Sequence, residues 1–331
     1  MKLHDVKIIH TEIDVPITYN KYETNIENVF ILDSKNNNIN GITYSCPIYF
    51  DKKIIQNKLL NNKIIFLSNG FLFYSFMYQT AFGHFIEQLL PKINYYLKFK
   101  NEITDLKMCI PKKRYNLITK NIIKLLNISD KDIIIIEHDT VINIKHLYYN
   151  NYECSDYNTD KISTFNLIRE KLLITDNILH NKNVYLKKNT NIIINNDCYN
   201  IGKTRQIINE NLLINKLKKL NFKIVTLGDK NIYEKKDILS NINILITQTG
   251  GNMYNLIFSN TPKHIIFLSN KYPLHTKYIN NLLPMLNYYT KNSIKIFEHE
   301  SYIKNCDKKN VMNDPFNVDI DKLLNYINDK I

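Results

Sequence analysis

The sequence contains few of the residues that turn, kink or cross-link a chain. Its 331 residues include seven glycines, eight prolines and five cysteines, and there is no tryptophan. The cysteines are odd in number and far apart, and none has the close Cys or His spacing of a zinc site. This pattern favours free thiols in a reducing compartment over a disulfide framework. The cysteines are Cys46, Cys109, Cys154, Cys198 and Cys306.

Long apolar segments are also absent from the sequence. No run approaches the roughly 20 apolar residues of a membrane-spanning helix. The N-terminal segment, which begins Met1-Lys2-Leu3, lacks the apolar core of a signal peptide. The hydrophobic content of 44% is nevertheless enough to fill a globular core. We therefore expect a soluble protein of the cytoplasm without a membrane anchor.

The chain is strongly basic, but it has no basic arm and no arginine cluster. The formal net charge is +13 and the pI is near 9.2. The lysines are spread along the chain among Asp, Glu and many Asn residues, as on a solvated surface. A nucleic-acid-binding protein is an alternative motivated by the charge alone, and a basic cleft for a diphosphate would add to the same count. We expect no nucleic-acid partner.

The order of apolar runs predicts an α/β protein with two domains. From residue 183 onward, short apolar strands alternate with helices in a βαβαβαβ pattern, which implies a parallel sheet with right-handed crossovers. The preceding part mixes strands and helices less regularly. The predicted boundaries are 1–175 for the first domain, 176–315 for the second and 316–331 for a C-terminal helix.

The individual elements follow from the spacing of the apolar residues. In the first domain, strands are predicted at 28–32, 63–67, 107–110 and 133–136, and helices at 83–99, 115–127 and 165–173. In the second, strands are predicted at 184–187, 223–227, 244–247 and 264–268. Helices are predicted there at 206–220, 233–241 and 253–259, with the C-terminal helix at 319–328.

Two of the seven glycines, Gly250 and Gly251, stand side by side between a predicted strand and a predicted helix. Such a pair lets the backbone turn sharply and brings N–H groups close to whatever lies above the strand end. In an open α/β sheet, that place is the crevice in which a nucleotide phosphate binds. The alternative is a purely steric role in a strand-to-helix turn.

The predicted helix 83–99 carries an imidazole and a carboxylate one turn apart. Its apolar residues form one buried stripe, which leaves His84, Glu87 and Gln88 on another face. A paired imidazole and carboxylate can serve as the general base that deprotonates a hydroxyl. The alternative is that His84 caps the helix while Glu87 is solvated. The stripe consists of Phe85, Ile86, Leu89, Leu90 and Ile93.

A scarce arginine, Arg205, stands at the start of the first predicted helix of the second domain. An arginine that enters a helix at the carboxyl edge of a parallel sheet can fork onto phosphate oxygens, with better geometry than lysine. The alternative is a surface ion pair with Glu210 or Asp229.

Together, the three segments resemble glycosyltransferase family 61 in their order and spacing. Three motifs in one order are far more specific than any one of them, and the resemblance covers roughly residues 80 to 270. The first motif is matched by His84, Phe85, Glu87, Leu90, Pro91 and Lys92. The second is matched by the strand that ends at Lys187 and by Arg205, Ile207, Asn209 and Glu210. The third is matched by Gly250, Gly251, Met253, Asn255, Ile257 and Phe258.

The resemblance implies a GT-B architecture of two Rossmann-like domains facing across a cleft. It implies transfer of a hexose or pentose with inversion, from a nucleotide sugar expected to be a UDP-sugar, to a hydroxyl of a glycan or glycoprotein. No metal or other cofactor is expected. By the same resemblance, His84 and Glu87 would be catalytic in the acceptor-side domain. The donor would be bound in the second domain by Lys187, Arg205, Asn209, Glu210, Thr249, Gly250, Gly251, Asn252 and Asn255.

Three positions depart from the family pattern. Thr249 stands where the family usually has histidine, Phe267 stands where it has an acidic residue, and Lys187 or Lys188 replaces an arginine. These departures motivate a second hypothesis, a catalytically inert relative that binds a nucleotide sugar or a glycan. Eukaryotic relatives usually begin with a membrane anchor. Its absence here favours an enzyme of the cytoplasm, or one encoded by a virus and found in the viral factory or virion.

Overall fold

The computed structural model describes most of both halves of the chain. The described residues are 2–14, 25–32, 35, 63–73, 85–112, 115–137, 140–149, 159–174, 181–188, 206–260, 262–270, 293–299 and 316–330. The chain divides into two compact units, Met1–Lys171 and Leu172–Ile331. Within the described ranges, no helix is both long enough and apolar enough to cross a membrane.

The first unit contains a six-stranded mixed sheet. Its strands are β1 (Lys2–Asp14), β2 (Asn25–Leu32), β3 (Lys63–Leu72), β4 (Lys107–Pro111), β5 (Ile133–Ile136) and β6 (Thr140–Tyr148). They lie in the order β2-β1-β6-β3-β4-β5, in which β6, β3, β4 and β5 are parallel to one another. β1 pairs antiparallel with both β6 and the edge strand β2.

Aromatic and aliphatic residues join the helices of the first unit to this sheet. The ring of Phe71 on β3 packs edge-on against Tyr96, with ring centroids 5.8 Å apart. The helical elements are a π-helical turn (Phe85–Leu89) that leads directly into α1 (Leu90–Glu102), then α2 (Leu117–Leu125), a 3₁₀ turn (Asp130–Asp132) and α3 (Thr159–Lys171).

The second unit contains a five-stranded sheet of β7 (Lys182–Leu186), β8 (Phe222–Val225), β9 (Ile242–Gln248), β10 (His264–Asn270) and β11 (Ser293–His299). The sheet is parallel throughout, in the order β11-β10-β9-β7-β8. The helices are α4 (Glu210–Lys219), α5 (Ile232–Leu239), a 3₁₀ helix (Gly251–Phe258) and α6 (Ile320–Asn328).

The alternation of side chains along these strands places apolar residues on both faces of the sheet. One face packs against α4 and α6 in a single buried cluster, in which each fully buried aliphatic or aromatic side chain contributes about 1.5–3 kcal/mol. The cluster includes Tyr185, Leu213, Leu217, Ile246, Ile266, Phe297, Leu323 and Ile327. Leu245, Thr247 and Phe267 have the opposite parity and belong to the other face.

The structure confirms the α/β class and the parallel sheet of the second unit. All eight predicted strands are present, with ends that differ by a few residues. The predicted α-helix at 253–259 is a correction, because this segment is a 3₁₀ helix. The sequence analysis missed β1, β6 and β11. The pairing of β1 with β6 connects segments more than a hundred residues apart, and no local pattern in the sequence predicts it.

Asparagine takes the place of glycine after two helices. Asn127 follows α2 and Asn221 follows α4, with φ angles of 55° and 60°. This left-handed conformation is the usual way to end a helix, and glycine is the residue most often found there, with asparagine next. A chain with only seven glycines can therefore end its helices in the ordinary way.

Candidate functional site

The strand order of the second unit has a topological switch point between β7 and β9. From β7 the chain passes to β8 on one side and then crosses to β9 on the other, which opens a crevice at the carboxyl ends of these two strands. Lys187 follows β7 there, and Thr249 and Gly250 follow β9. Because the strands are parallel, the helices that follow them begin at this same edge. The predicted donor-binding segments that the structure describes therefore share one edge of one sheet.

Gly250 occupies a backbone conformation that is restricted to glycine. Its φ of 118° and ψ of −148° lie in a region that residues with a Cβ hardly ever adopt. The Gly250 carbonyl accepts the Met253 N–H at 3.0 Å, which starts the 3₁₀ helix, and the Gly250 N–H contacts the Met253 sulfur at 3.2 Å. Gly251 follows as an exposed residue in the first turn. The two glycines therefore differ: Gly250 provides a backbone conformation that other residues hardly adopt, and Gly251 leaves the backbone of the turn exposed.

The start of the 3₁₀ helix differs electrostatically from the other helix starts that the structure describes at this edge. The first turns of α4, α5 and α6 carry Glu210, Glu234 and Asp321, whereas the first turn of Gly251–Phe258 carries no acidic residue. Carboxylates at helix N-termini satisfy and neutralise the exposed N–H groups. Of these four helix starts, the one at Gly251 is the one without a carboxylate in its first turn.

A chain of hydrogen bonds supports this turn from the protein interior. Asn255, only 2% exposed, donates from Nδ2 to the carbonyl of Asn252 at 3.1 Å and accepts at Oδ1 from Lys235 Nζ at 3.0 Å. The Nδ2 of Asn252 is buried and has no hydrogen-bond acceptor among the described residues. Asn255 thus holds the turn in place, and Asn252 retains an unused donor beside it.

At the end of β7, three polar side chains meet. The Tyr185 hydroxyl donates to Glu210 Oε1 at 2.7 Å, and Lys187 Nζ lies 3.6 Å from Glu210 Oε2, longer than a hydrogen bond. Burial of the Tyr185 phenol, together with the Glu210 carboxylate, raises the pKa of Tyr185 well above its usual value. The Glu210 carboxylate is therefore fixed by Tyr185, while Lys187, about one third exposed, is held only loosely.

Asn209 joins α4 to the segment before α6. Its Nδ2 donates to the Val318 carbonyl at 2.7 Å, and its Oδ1 accepts the Val318 N–H at 2.9 Å. An isolated parallel bridge between Ile207 and Phe316 continues this contact. The side chain of Asn209 is thus used within the protein, as are those of Glu210 and Asn255.

Two of the three departures from the family pattern, Thr249 and Phe267, are buried. Thr249 is 7% exposed, its N–H donates to the Leu268 carbonyl at 2.9 Å, and its hydroxyl donates to Ser269 Oγ at 3.4 Å. Phe267 is completely buried in β10, where it pairs with Thr247 of β9. Neither position offers a titratable group.

In the first unit, the described part of the predicted catalytic motif is a π-helical turn that continues into α1. The apolar stripe is confirmed, since Phe85, Ile86, Leu89, Leu90 and Ile93 are all buried. Short π-helical segments inside helices are frequent at functional sites, and their i→i+5 bonds space side chains differently from the α-helix that the sequence predicted.

Three residues of the predicted site lie wholly or partly outside the described structure. His84 and Arg205 are not among the described residues, and only the backbone of Glu87 is. Further along the first motif, Lys92 is 7% exposed, and burial lowers the pKa of its ammonium to about 8.

Lys235 is a buried residue of this region that the sequence analysis missed. It lies on α5, is 2% exposed, and its ammonium stands over the ring of Phe258 at 5.7 Å from the centroid. One signal was available in the sequence. Lys235 stands three residues after Ile232 and four before Leu239, so it occupies a position on the apolar stripe of the helix.

A family model described as glycosyltransferase 61 matches residues 82–266, which is more than half of the chain. The matched interval includes the π-helical turn, the Asn209–Glu210 pair and the Gly250–Gly251 turn, so it covers the three motifs that carried the resemblance. No curated protein is significantly similar to the sequence. The family implies a sugar donor and an acceptor as its substrates. The chain belongs to glycosyltransferase family 61.

Proposed function

We propose that the protein is an inverting glycosyltransferase that moves a sugar from a UDP-sugar to a hydroxyl of a glycan or of a protein-linked sugar. Family membership supports sugar transfer. The GT-B arrangement and the independence from metal are parts of the proposal that follow from the family resemblance.

The observation that carries the proposal is the turn at Gly250 and Gly251 beside the switch point. Its N–H groups start a helix without a carboxylate in the first turn, at the place where open α/β sheets bind phosphates. The unused Asn252 donor lies in the same turn. We assign the donor diphosphate to this turn, with Lys187 at the end of β7 as a cation that can reach its oxygens.

The chemistry requires two kinds of group. In a single displacement, the acceptor oxygen attacks the anomeric carbon, its proton passes to a base, and the bond from that carbon to the diphosphate oxygen breaks. The diphosphate leaves with additional negative charge, which N–H groups and cations stabilise. We assign stabilisation of the leaving diphosphate to the Gly250–Gly251 turn, Lys187 and Arg205. We assign deprotonation of the acceptor hydroxyl to His84 or Glu87.

The experiment that tests the proposal is a thermal-shift panel of UDP, GDP, CMP, dTDP and their sugars on wild type, Lys187→Met and Lys182→Met. A nucleotide at 100 times its Kd should add about 2.7 kcal/mol of stability. Lys187→Met removes one charged contact, worth about 1.5–3 kcal/mol, and should weaken binding roughly tenfold or more. Lys182 is the first residue of the same strand and lies at its amino end, away from Lys187. Its substitution is therefore the matched control and should leave the thermal shift by the nucleotide unchanged.

Variants of the proposed base, tested with the same nucleotides and sugars, separate nucleotide binding from sugar transfer. His84→Ala and Glu87→Ala should keep the nucleotide shift, and at least one of them should lose sugar transfer. If no nucleotide stabilised wild type, or if Lys187→Met and Lys182→Met behaved alike, the donor site would be assigned wrongly. Full transfer activity in both His84→Ala and Glu87→Ala would remove the base assignment.

A second candidate function is an inert relative that binds a nucleotide sugar or glycan without transferring it. The observation in its favour is the burial of Thr249 and Phe267, which puts a short hydroxyl and an aromatic ring where the family has titratable groups. This candidate predicts a nucleotide-sugar shift with neither hydrolysis nor transfer. It also predicts that Thr249→His does not reduce nucleotide binding.

A further inference from the structure

A buried tyrosine, Tyr185, stands two residues before the lysine to which we assign a contact with the donor diphosphate. The Lys187 N–H donates to the Val225 carbonyl at 2.8 Å, so the pairing of β7 with β8 continues one residue beyond β7. Alternate residues of a strand project from the same face of a sheet, so Tyr185 and Lys187 project together. Glu210, the first residue of α4, lies against both side chains.

The two oxygens of the Glu210 carboxylate have different neighbours. Oε1 accepts the Tyr185 hydroxyl at 2.7 Å, whereas Oε2 lies 3.6 Å from Lys187 Nζ. The first contact is a short charge-assisted hydrogen bond, and the second is an ion pair without a hydrogen bond. The Tyr185 ring is 1% exposed and belongs to the core cluster that includes Leu213 and Leu217 of α4. Packing therefore fixes the position of the hydroxyl, and the hydroxyl fixes the carboxylate.

Tyr185 and Lys187 do not bind this carboxylate with equal strength. Burial of the Tyr185 phenol, with the Glu210 carboxylate beside it, raises the pKa of Tyr185 well above its usual value, so the hydroxyl keeps its proton and donates. The Lys187 side chain is about one third exposed and has a flexible stem. To form a direct hydrogen bond with Lys187, the carboxylate would have to turn and give up the shorter bond to Tyr185.

We propose that Tyr185 is a positioning residue of the donor site: its hydroxyl holds the Glu210 carboxylate, so that the Lys187 ammonium stays available to the donor diphosphate. This inference rests on the proposed function, because it takes Lys187 to be a cation of the donor site. Without the hydroxyl, the carboxylate turns to Lys187 and forms a direct ion pair. The diphosphate then has to displace that carboxylate before it binds the ammonium.

The experiment is a calorimetric titration with the nucleotide that the thermal-shift panel selects, which we expect to be UDP. The proteins are wild type, Tyr185→Phe, Lys187→Met and the double variant. Tyr96→Phe is the matched control, because Tyr96 is also 1% exposed and its hydroxyl donates to the Leu106 carbonyl at 3.5 Å, in the first unit. The control should bind UDP as wild type does.

Tyr185→Phe should bind UDP about threefold to tenfold more weakly than wild type, because the nucleotide has to compete with an internal ion pair. In the Lys187→Met background, the same substitution should have no further effect, since there is no ammonium for the carboxylate to bind. A purely structural role of Tyr185 would instead weaken UDP binding by the same factor in both backgrounds.

Glu210→Gln tests the inference without a change at Tyr185, and it serves if Tyr185→Phe does not fold. Its amide oxygen can still accept the Tyr185 hydroxyl, but it has no charge to attract Lys187. UDP should therefore bind to this variant about twofold to fivefold more tightly than to wild type. Binding no tighter than that of wild type would overturn the inference, because the carboxylate would then not compete with the nucleotide for Lys187.

Two further results would also overturn this inference and leave the proposed function intact. One is wild-type affinity in Tyr185→Phe, and the other is an equal loss of affinity with and without Lys187. The proposed function fails in a different way. No binding of UDP or of the other nucleotides by wild type, or wild-type affinity in Lys187→Met, would show that the donor site is assigned wrongly, and the role of Tyr185 would fall with it.

Discussion

The two units of the chain build parallel strands into an α/β layer in different ways. In the second unit, β7, β8, β9 and β10 follow one another with a helix after each of the first three. In the first unit, β3 lies between β4 and β6, and β1 near the N-terminus pairs with β6 more than a hundred residues later. Strands that follow one another through short connections can be predicted from the alternation of strands and helices in the sequence, whereas long-range strand pairings cannot. The sequence therefore predicted the sheet of the second unit only.

The units also differ in what a glycine does. Gly250 in the second unit provides a backbone conformation, with φ of 118°. Gly70 in the first unit, on β3, provides space, because an added Cβ would lie 2.8 Å from Ile144 Cδ1 on β6. The two requirements respond differently to substitution, which allows the comparison to be tested.

The largest effect is expected for Gly250→Ala. The conformation of Gly250 is essentially restricted to glycine, so the variant should lose about 1–3 kcal/mol of stability and most of its nucleotide affinity. Asparagine, which tolerates the left-handed helical region, should not rescue it. Gly251→Ala is the matched control for stability and should unfold as wild type does, because Gly251 has no positive φ. Thermal unfolding with and without UDP measures both effects, and normal UDP binding by Gly250→Ala would contradict the assigned role.

Gly70→Ala is expected to lose a similar amount of stability as Gly250→Ala but to keep nucleotide binding, so its total effect is smaller. The new methyl group would crowd Ile144 and lie 3.4 Å from Cys109 Sγ, and crowding of this kind costs about 1–3 kcal/mol. The nucleotide response should be unchanged, since the change lies in the first unit. Ile144→Val removes the closest atom, so the double variant should recover part of the loss. A double-mutant cycle by urea unfolding checks this, and purely additive effects would show that space is not the reason for the glycine.

The smallest effect is expected at the left-handed asparagines, where the two units should behave alike. Asn221→Ala in the second unit and Asn127→Ala in the first should each cost about 1 kcal/mol, because alanine tolerates this conformation less well. The corresponding glycine variants should be at least as stable as wild type. Chemical denaturation of the four variants gives the comparison. Equal stability of the alanine and glycine variants would mean that these positions relax out of the left-handed region.

The candidate site was predicted from the sequence in part. The Gly250–Gly251 turn was recognisable because a strand end followed by a helix start has a local signature, and Lys187 and Glu210 were carried over from the family resemblance. The roles of Asn209 and Asn255 were not recognisable, since their partners, Val318 and Lys235, are brought to them by packing. The 3₁₀ form of the segment after Gly250 was also missed, because its apolar residues fit an α-helical period equally well.

The sequence by itself determined the class of the fold, the order of elements in the second unit, the glycine turn and the family. Each of these depends on residues close together in the chain or on motifs in a fixed order. The tertiary structure alone decided the mixed sheet of the first unit, the hydrogen-bond partners of Asn209 and Asn255, and the burial of Lys235. These features depend on which distant segments pack together. Packing is determined by the shape and burial of whole faces, which local periodicity does not record.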